Sequence, residues 1–378
     1  MIYFDNAATS FPKPINVLKQ MNNALSFYGG NPGRSGHKMS LRAAKIVYNL
    51  REKASEFFNL NASERVILTK NCTEALNLAI FSVMKNGGNA IISCYEHNSV
   101  VRPLEYLKKN NICDYKIAKA SFSNSDNVIS SFEKLIDNKT KMIICTHASN
   151  VTGEIAPINE LSQLCKRKKI IFCVDASQTA GIIPIKMNEQ NIDILCCPGH
   201  KGLYGPTGTG LFLSNEKISL SPIIFGGTGS VSTNLNQPDF MPDLLESGTV
   251  NVVGAAGLYG GISFIEKTGI EKIYNHELSL AQYFYDNLSK MPNITLYTPF
   301  PMHNRSVATL SFNVKGKTST ATSGFLDTQN IAVRSGLHCS PLTHNFLNTA
   351  PTGTVRVSFS YFNNLDQVNY LCKILKNL

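Results

Sequence analysis

A chain of 378 residues is about two and a half times a typical domain length, which excludes a single small module and predicts one large core with a smaller companion. Hydrophobic residues at 43% and charged residues at 16% supply ample apolar side chain for a core and too little charge for solvated disorder. The net charge of +10 comes from scattered residues, and the densest basic run, Lys166-Arg167-Lys168-Lys169, reads as the solvated end of a helix and not as a nucleic-acid patch.

In chain order, Ser40 opens a helix in which Leu41, Ala44, Val47, Ala54 and Phe57 recur on one face. From residue 65 to about 215, short β-branched runs alternate with longer segments of helical period. The runs lie at 65–69, 89–93, 141–146, 170–174, 192–196 and 209–213. Near-continuous apolar strands separated by helices predict an α/β domain whose mostly parallel sheet is covered on both faces. Beyond residue 250 the pattern predicts helices at about 251–266 and 269–290, then strands at 294–297 and 307–312. A helix near 317–327 and strands near 331–334 and 354–359 follow, and this mixed order predicts a smaller α+β domain closing the chain.

Ten cysteines without a C-x-x-C spacing, several of them inside apolar runs, read as reduced core residues; no spacing supports zinc, so no metal is expected. No stretch reaches the roughly 18 apolar residues of a membrane span, and Met1-Ile2-Tyr3-Phe4-Asp5 lacks a basic region followed by an apolar one. A cytoplasmic protein with no membrane or nucleic-acid partner is expected.

In open parallel sheets ligands sit at the carboxyl ends of strands, where loops lead into helix N-termini. The first such loop is Lys70-Asn71-Cys72-Thr73-Glu74-Ala75, with a hydroxyl and amides suited to a phosphate. The next strand end delivers Asp175, either a helix cap or a functional carboxylate. A later one runs into Gly199-His200-Lys201-Gly202, where Lys201 is either a surface lysine in a glycine-rich turn or a buried amine suited to Schiff-base chemistry. The run Gly205 to Gly210 has the wrong spacing and precedes a strand, so it is not a dinucleotide loop. An amine, a strand-end carboxylate and a hydroxyl-bearing helix start meet the three needs of pyridoxal 5'-phosphate.

The chain resembles the cysteine desulfurases of the class V aminotransferase family, which have fold type I of the pyridoxal-phosphate enzymes. The matching stretches occur in family order: Tyr3-Phe-Asp-Asn-Ala-Ala-Thr9, Thr73-Glu-Ala-Leu-Asn77, Glu96-His97-Asn98-Ser99, Ser149-Asn150-Val-Thr-Gly153, Val174-Asp-Ala-Ser-Gln178, Gly199-His-Lys201 with Tyr204-Gly-Pro-Thr-Gly208, Glu246-Ser-Gly-Thr249 and Arg334-Ser-Gly-Leu-His-Cys339. The resemblance implies a large domain over 15–267, with a mostly parallel mixed sheet, and a small α+β domain made of 1–14 and 268–378.

Carried over residue by residue, the resemblance implies that Lys201 holds the cofactor and takes the substrate's Cα proton. Asp175 would pair with the pyridine nitrogen, His97 would stack on the ring and move protons as a catalytic residue, and Gln178 would bond the phenolic oxygen. Thr73 and His200 would bind phosphate, with Cys72 beside them and with Gly248 and Thr249 arriving from the other subunit of a homodimer. Asn150, which would also touch the cofactor, and Arg356 would clamp the substrate carboxylate, with Arg334 lining the same mouth; the alternating strand alone leaves an outward-facing Arg356 as the alternative. Cys339 would attack the substrate sulfur and carry it as a persulfide, its thiolate favoured by the positive neighbours His338 and Arg334.

The short Arg-x-Gly-x-His-Cys arrangement is similar to the group II, SufS-like and selenocysteine-lyase-like branch. A dedicated sulfur-acceptor protein is therefore expected, with sulfur destined for iron–sulfur clusters or other sulfur-containing cofactors. The stretch Asp175-Ala-Ser-Gln178 follows the group I pattern instead, and Pro198 and Cys72 stand where family members commonly place hydroxyls. The alternatives are a selenocysteine lyase or aminotransferase acting on the same cofactor, and a sulfur-relay scaffold without one.

Overall fold

A computed structural model describes residues 1–33, 36–231 and 233–378. The strand β1 (Ile2–Tyr3) and the helices α1 (Ile15–Phe27) and α2 (Lys38–Phe57) come first. Strands and helices then alternate: β2 (Val66–Thr69), α3 (Cys72–Met84), β3 (Asn89–Ser93), α4 (Asn98–Lys109), β4 (Asp114–Ala118), α5 (Ser125–Glu133), β5 (Thr140–Thr146), α6 (Ile158–Lys168), β6 (Ile171–Asp175), β7 (Ile194–Pro198) and β8 (Gly210–Ser214). Two long helices, α7 (Val252–Thr268) and α8 (Ile270–Leu288), lead into β9 (Ile294–Leu296), β10 (Thr309–Val314), α9 (Ser319–Thr328), β11 (Ile331–Ala332), β12 (Arg334–Gly336), α10 (Pro341–Phe346), β13 (Thr354–Ser358) and α11 (Leu365–Lys376). Helix starts are set by short polar side chains: Asn71, Asn124, Thr318 and Asn364 each cap the helix that follows with a side-chain acceptor.

The main sheet has the order β2-β8-β7-β6-β5-β3-β4. Its pairs are parallel except those made by β8, which runs against β2 and β7. Alternate side chains of each strand enter two cores, as a period of two requires. Ile91, Ile143, Phe172, Val174 and Leu195 pack under α2, α6 and α7; Ala90, Ile92, Ile144, Ile194 and Phe212 pack under α3 and α4. The result is the expected mostly parallel sheet between two helical layers.

A second sheet, β12-β13-β10-β9, builds a smaller core with α8 and α11. Phe4, at the start of the chain, packs inside it. Helix α8 serves both bodies, with Ile273, Tyr274 and Leu278 in the large core and Leu280, Phe284 and Leu288 in the small one. The boundary expected between 267 and 268 falls at the end of α7, and α8, which packs in both cores, begins just after it. Among the described residues, no helix is long and apolar enough to cross a membrane, and no group of three or more His, Cys, Asp or Glu side chains is placed to hold a metal ion.

The interior holds many titratable groups. Burial lowers the pKa of His97, His200 and His344 to about 4, of His147 to about 3 and of His338 to about 2. It raises those of Glu96 and Glu277 to about 8. The histidines stay neutral in the folded chain, so unfolding takes up protons below the free-histidine value of about 6.5, and stability is lost as pH falls through that range. The two carboxyls stay protonated when folded, so their contribution is lost as pH rises toward 8. The thermal midpoint of the cofactor-free chain is expected to peak near pH 6.5, followed by circular dichroism between about pH 4 and 8. A midpoint climbing steadily through that whole range would contradict it.

Candidate active site

The carboxyl ends of the parallel strands open into a cavity of about 160 Å³ lined by Asn71, Cys72, Thr73, His97, Ser99, Thr146, Asn150, Asp175, Ser177, Gln178, Pro198, His200 and Lys201. Nine of these were singled out from sequence: Cys72, Thr73, His97, Asn150, Asp175, Gln178, Pro198, His200 and Lys201. Register brings them together: Thr146 ends β5 opposite Asp175 at the end of β6, and Asp175 lies opposite Cys196 on β7, just before Pro198.

Asp175 is 2% exposed, and its Oδ1 accepts from the Ser177 amide at 2.9 Å and from Cys72 Sγ at 3.6 Å. Ser177 Oγ donates to Cys72 Sγ at 3.2 Å, and burial, with Asp175 beside it, pushes the Cys72 thiol well up. Cys72 is thus a neutral wall residue. Burial lowers the pKa of Lys201, opposed by the Asp175 carboxylate.

His97 caps α4, its Nδ1 accepting from the Ser99 amide at 3.0 Å. Ser99 Oγ lies 2.8 Å from both His97 Nδ1 and Thr73 Oγ1, so one serine joins the two predicted residues. Burial first and Lys201 second keep the His97 ring neutral. His200 Nδ1 is buried with no hydrogen-bond partner among the described residues. Gln178 Nε2 donates to Ala7 O at 3.1 Å.

The small sheet supplies the rest. Arg356 on β13 pairs directly across from Arg334 on β12. Arg356 is buried, and its Nη1 donates to Asn150 O at 3.1 Å while its Nη2 donates to Asp5 at 2.7 Å. Asn150 Nδ2 donates to His338 O at 2.8 Å, and its Oδ1 accepts from Ser340 Oγ at 2.7 Å. The Asn98 amide donates to Cys339 O at 2.8 Å. These bonds pin the Cys339 loop to the large body, with His338 at φ +48° and Cys339 at φ +58°, left-handed conformations that ordinary side chains rarely adopt.

Cys339 is exposed and the other nine cysteines are buried. Arg334 Nη2 lies 3.8 Å from its sulfur. The expectation for His338 requires correction. Its Nε2 faces Thr354 O at 3.1 Å and so carries the ring proton, and burial together with Arg356 holds the ring neutral. Arg334 is therefore the positive neighbour of the thiol, and His338 is not.

Gly248 and Thr249 do not line this cavity. Gly248 lies in a separate cleft with Pro32, Tyr48 and Val250, and Asn31 Nδ2 donates to Thr249 Oγ1 at 3.4 Å. Asp5, Ser99, Ser177 and Ser340 were not assigned roles from sequence. Asp5, Ser99 and Ser177 lie inside the quoted motif stretches, which is the signal that marks them, and Ser340 follows the last of those stretches directly. Under native conditions a thiol reagent is expected to label one cysteine rapidly, at Cys339, and the other nine only on unfolding; fast labelling of a second position, read by peptide mass mapping, would contradict the burial pattern.

A sequence profile of the family described as aminotransferase class-V matches residues 2–371. A probable cysteine desulfurase of Pyrococcus abyssi (strain GE5 / Orsay) is 33% identical over 393 residues, covering 100% of this chain and 94% of the relative. One of Synechocystis sp. (strain ATCC 27184 / PCC 6803 / Kazusa) is 30% identical over 385 residues, covering 100% and 90%. The solved apo structure of a cysteine desulfurase from Thermococcus onnurineus NA1 superposes with a TM-score of 0.92 at 31% identity, covering 100% of this chain and 94% of that one. The S-sulfonic acid form of cysteine desulfurase CsdA from Escherichia coli, at 24% identity and a TM-score of 0.87 over 99% of this chain and 94% of that one, speaks for the fold alone. With a profile match that runs almost from end to end and relatives that align over the whole chain, this protein belongs to the aminotransferase class-V family.

Proposed function

We propose that this protein is a pyridoxal-phosphate-dependent cysteine desulfurase. It takes sulfur from L-cysteine, releases L-alanine and keeps the sulfur on Cys339 as a persulfide. The observation that carries the reading is an exposed thiol with a guanidinium 3.8 Å away, held in a loop bonded to Asn150, a wall residue of the cavity that contains Lys201 and Asp175.

The residues present fit the cofactor. Lys201 offers an amine, Asp175 a carboxylate, and the start of α3 an anion cradle beside His200, whose buried Nδ1 has no partner. When bound, pyridoxal 5'-phosphate supplies an aldehyde that joins amines and a ring that draws electrons from the substrate's α-carbon. Asp175 would hold the ring nitrogen, Thr73 and His200 the phosphate, and Gln178 the phenolic oxygen. The neutral imidazole of His97, fixed by Ser99, would lie on the ring face.

Burial of Lys201 raises its share of free amine at neutral pH, which serves both a nucleophile and a base taking the Cα proton. Arg356, with Asn150 beside it, would grip the substrate carboxylate. Cys339, with Arg334 Nη2 3.8 Å from its sulfur, would attack the substrate sulfur as a thiolate. The S–S bond forms as the C–S bond breaks, the electron pair leaves with carbon, and protonation of that carbon yields alanine.

The remaining parts of the reading concern partners. Exposed apolar side chains at Leu18, Leu25, Phe27, Leu41, Tyr48 and Phe225 support a homodimer, with the Gly248–Thr249 loop serving the partner's cofactor phosphate. The short Cys339 loop supports a dedicated acceptor protein that docks over it and carries sulfur toward iron–sulfur clusters or other sulfur-containing cofactors. A cytoplasmic location completes the proposal.

Incubated with the cofactor and L-cysteine, the protein is expected to form alanine and, with a reductant, sulfide. Lys201→Ala should lose the visible absorbance of the bound cofactor and on the order of a thousandfold in rate, and Cys339→Ala should bind the cofactor normally yet lose cysteine turnover to a similar degree. Absence of alanine from the wild-type holoenzyme, or full cysteine turnover in Cys339→Ala, would refute the reading.

A further inference from the structure

We propose that Asp5 is an internal stand-in for the substrate carboxylate: it holds Arg356 in the free enzyme and is exchanged for the carboxylate of an incoming amino acid. The inference rests on the reading of Arg356 as the carboxylate clamp and concerns what that clamp does between turnovers.

Arg356 is 2% exposed and faces Arg334 directly across the strand pair. Two like charges at opposed positions destabilise a sheet, and a buried guanidinium without an anion is costly. Some anion must therefore sit at this place whether or not substrate is bound. Asp5 supplies it, reaching Arg356 Nη2 at 2.7 Å from a segment 351 residues away in the chain.

The contact is built to be given up. Asp5 reaches the guanidinium through Oδ1 alone, and Arg356 Nε remains buried with no acceptor among the described residues. Its side chain is 21% exposed, so released from Arg356 it has water to turn into. A carboxylate grips arginine best with two oxygens, either across the two Nη atoms or along the edge formed by Nε and Nη2. Both grips use Nη2, which is where Asp5 sits, and two ionised carboxylates on one buried guanidinium repel each other. An arriving α-carboxylate that takes two N–H groups satisfies more of Arg356 than Asp5 does, and Asp5 gives way.

The test uses holoenzyme and L-alanine, an amino acid that binds without turnover of a thiol, with ethylamine as the probe lacking a carboxylate. Binding is followed by calorimetry in the wild type, Asp5→Asn and Arg356→Ala. Removing the competitor should tighten L-alanine binding to Asp5→Asn by roughly tenfold and leave ethylamine unchanged. The unliganded Asp5→Asn protein should melt lower than the wild type, and saturating L-alanine should raise its midpoint by more than it raises the wild type's. Equal or weaker L-alanine binding in Asp5→Asn, with binding weakened in Arg356→Ala, would overturn the exchange while leaving the clamp in place. Undiminished L-alanine binding in Arg356→Ala would remove the clamp, and the exchange with it. Should Asp5→Asn not fold, a crystal of wild-type holoenzyme with L-alanine decides: an Asp5–Arg356 separation beyond hydrogen-bond reach is expected, and a contact kept at its present length overturns the proposal.

Discussion

The side chain of Asn150 is the joint on which the site depends. Its amide donates to the backbone of His338, its carbonyl oxygen accepts from Ser340, and its own main-chain oxygen accepts from Arg356. Three bonds thus tie one residue of the large sheet's loops to β13 and to the loop after β12, at 8% exposure, where each polar group left unpaired would cost about 1–3 kcal/mol. The left-handed backbone at His338 and Cys339 persists because these bonds and the one from the Asn98 amide over-determine it. Without that joint the exposed thiol has no defined position relative to the cavity below.

Electrostatics follow from this convergence. Lys201, Arg334 and Arg356 bring three basic groups to one region, answered by Asp175 and Asp5. Each imidazole nearby is kept neutral by burial, so the positive character comes from amine and guanidinium groups and not from histidine. A site of this kind favours a ligand that carries a carboxylate or a phosphate. It also keeps Lys201 short of full protonation, which a lysine must be to act as nucleophile or base.

Much of this was legible in the sequence because the signals are local. The run at 89–93 is the strand Asn89–Ser93, and the alternating pattern from 65 to 215 is the three-layer sheet. The strand-end residues Asp175, His200 and Lys201 lie around one cavity because parallel strands put their carboxyl ends on one edge. Less was legible where the determinant is distant. The edge strand Asp114–Ala118 carries a mostly part-exposed pattern and lacks the apolar run that marks its neighbours. The reversed direction of Gly210–Ser214 depends on pairing, which composition does not encode. His338 next to Cys339 suggested a charged partner, yet its ring turns inward to Thr354, and only burial decides its proton. The Asp5 contact joins residues from opposite ends of the chain, and although both lie at positions singled out by the sequence, nothing local pairs one with the other.

If a cofactor-bearing amine and a sulfur-accepting thiol serve one substrate, sulfur reaches the thiol only while the amine is in place. Peptide mass spectrometry of the holoenzyme after brief exposure to L-cysteine, without reductant, tests it most directly. The expected result is the added mass of one sulfur atom on the peptide carrying Cys339, absent from Lys201→Ala treated in the same way. Sulfur found on another cysteine, or on Cys339 to the same extent in Lys201→Ala, would contradict it.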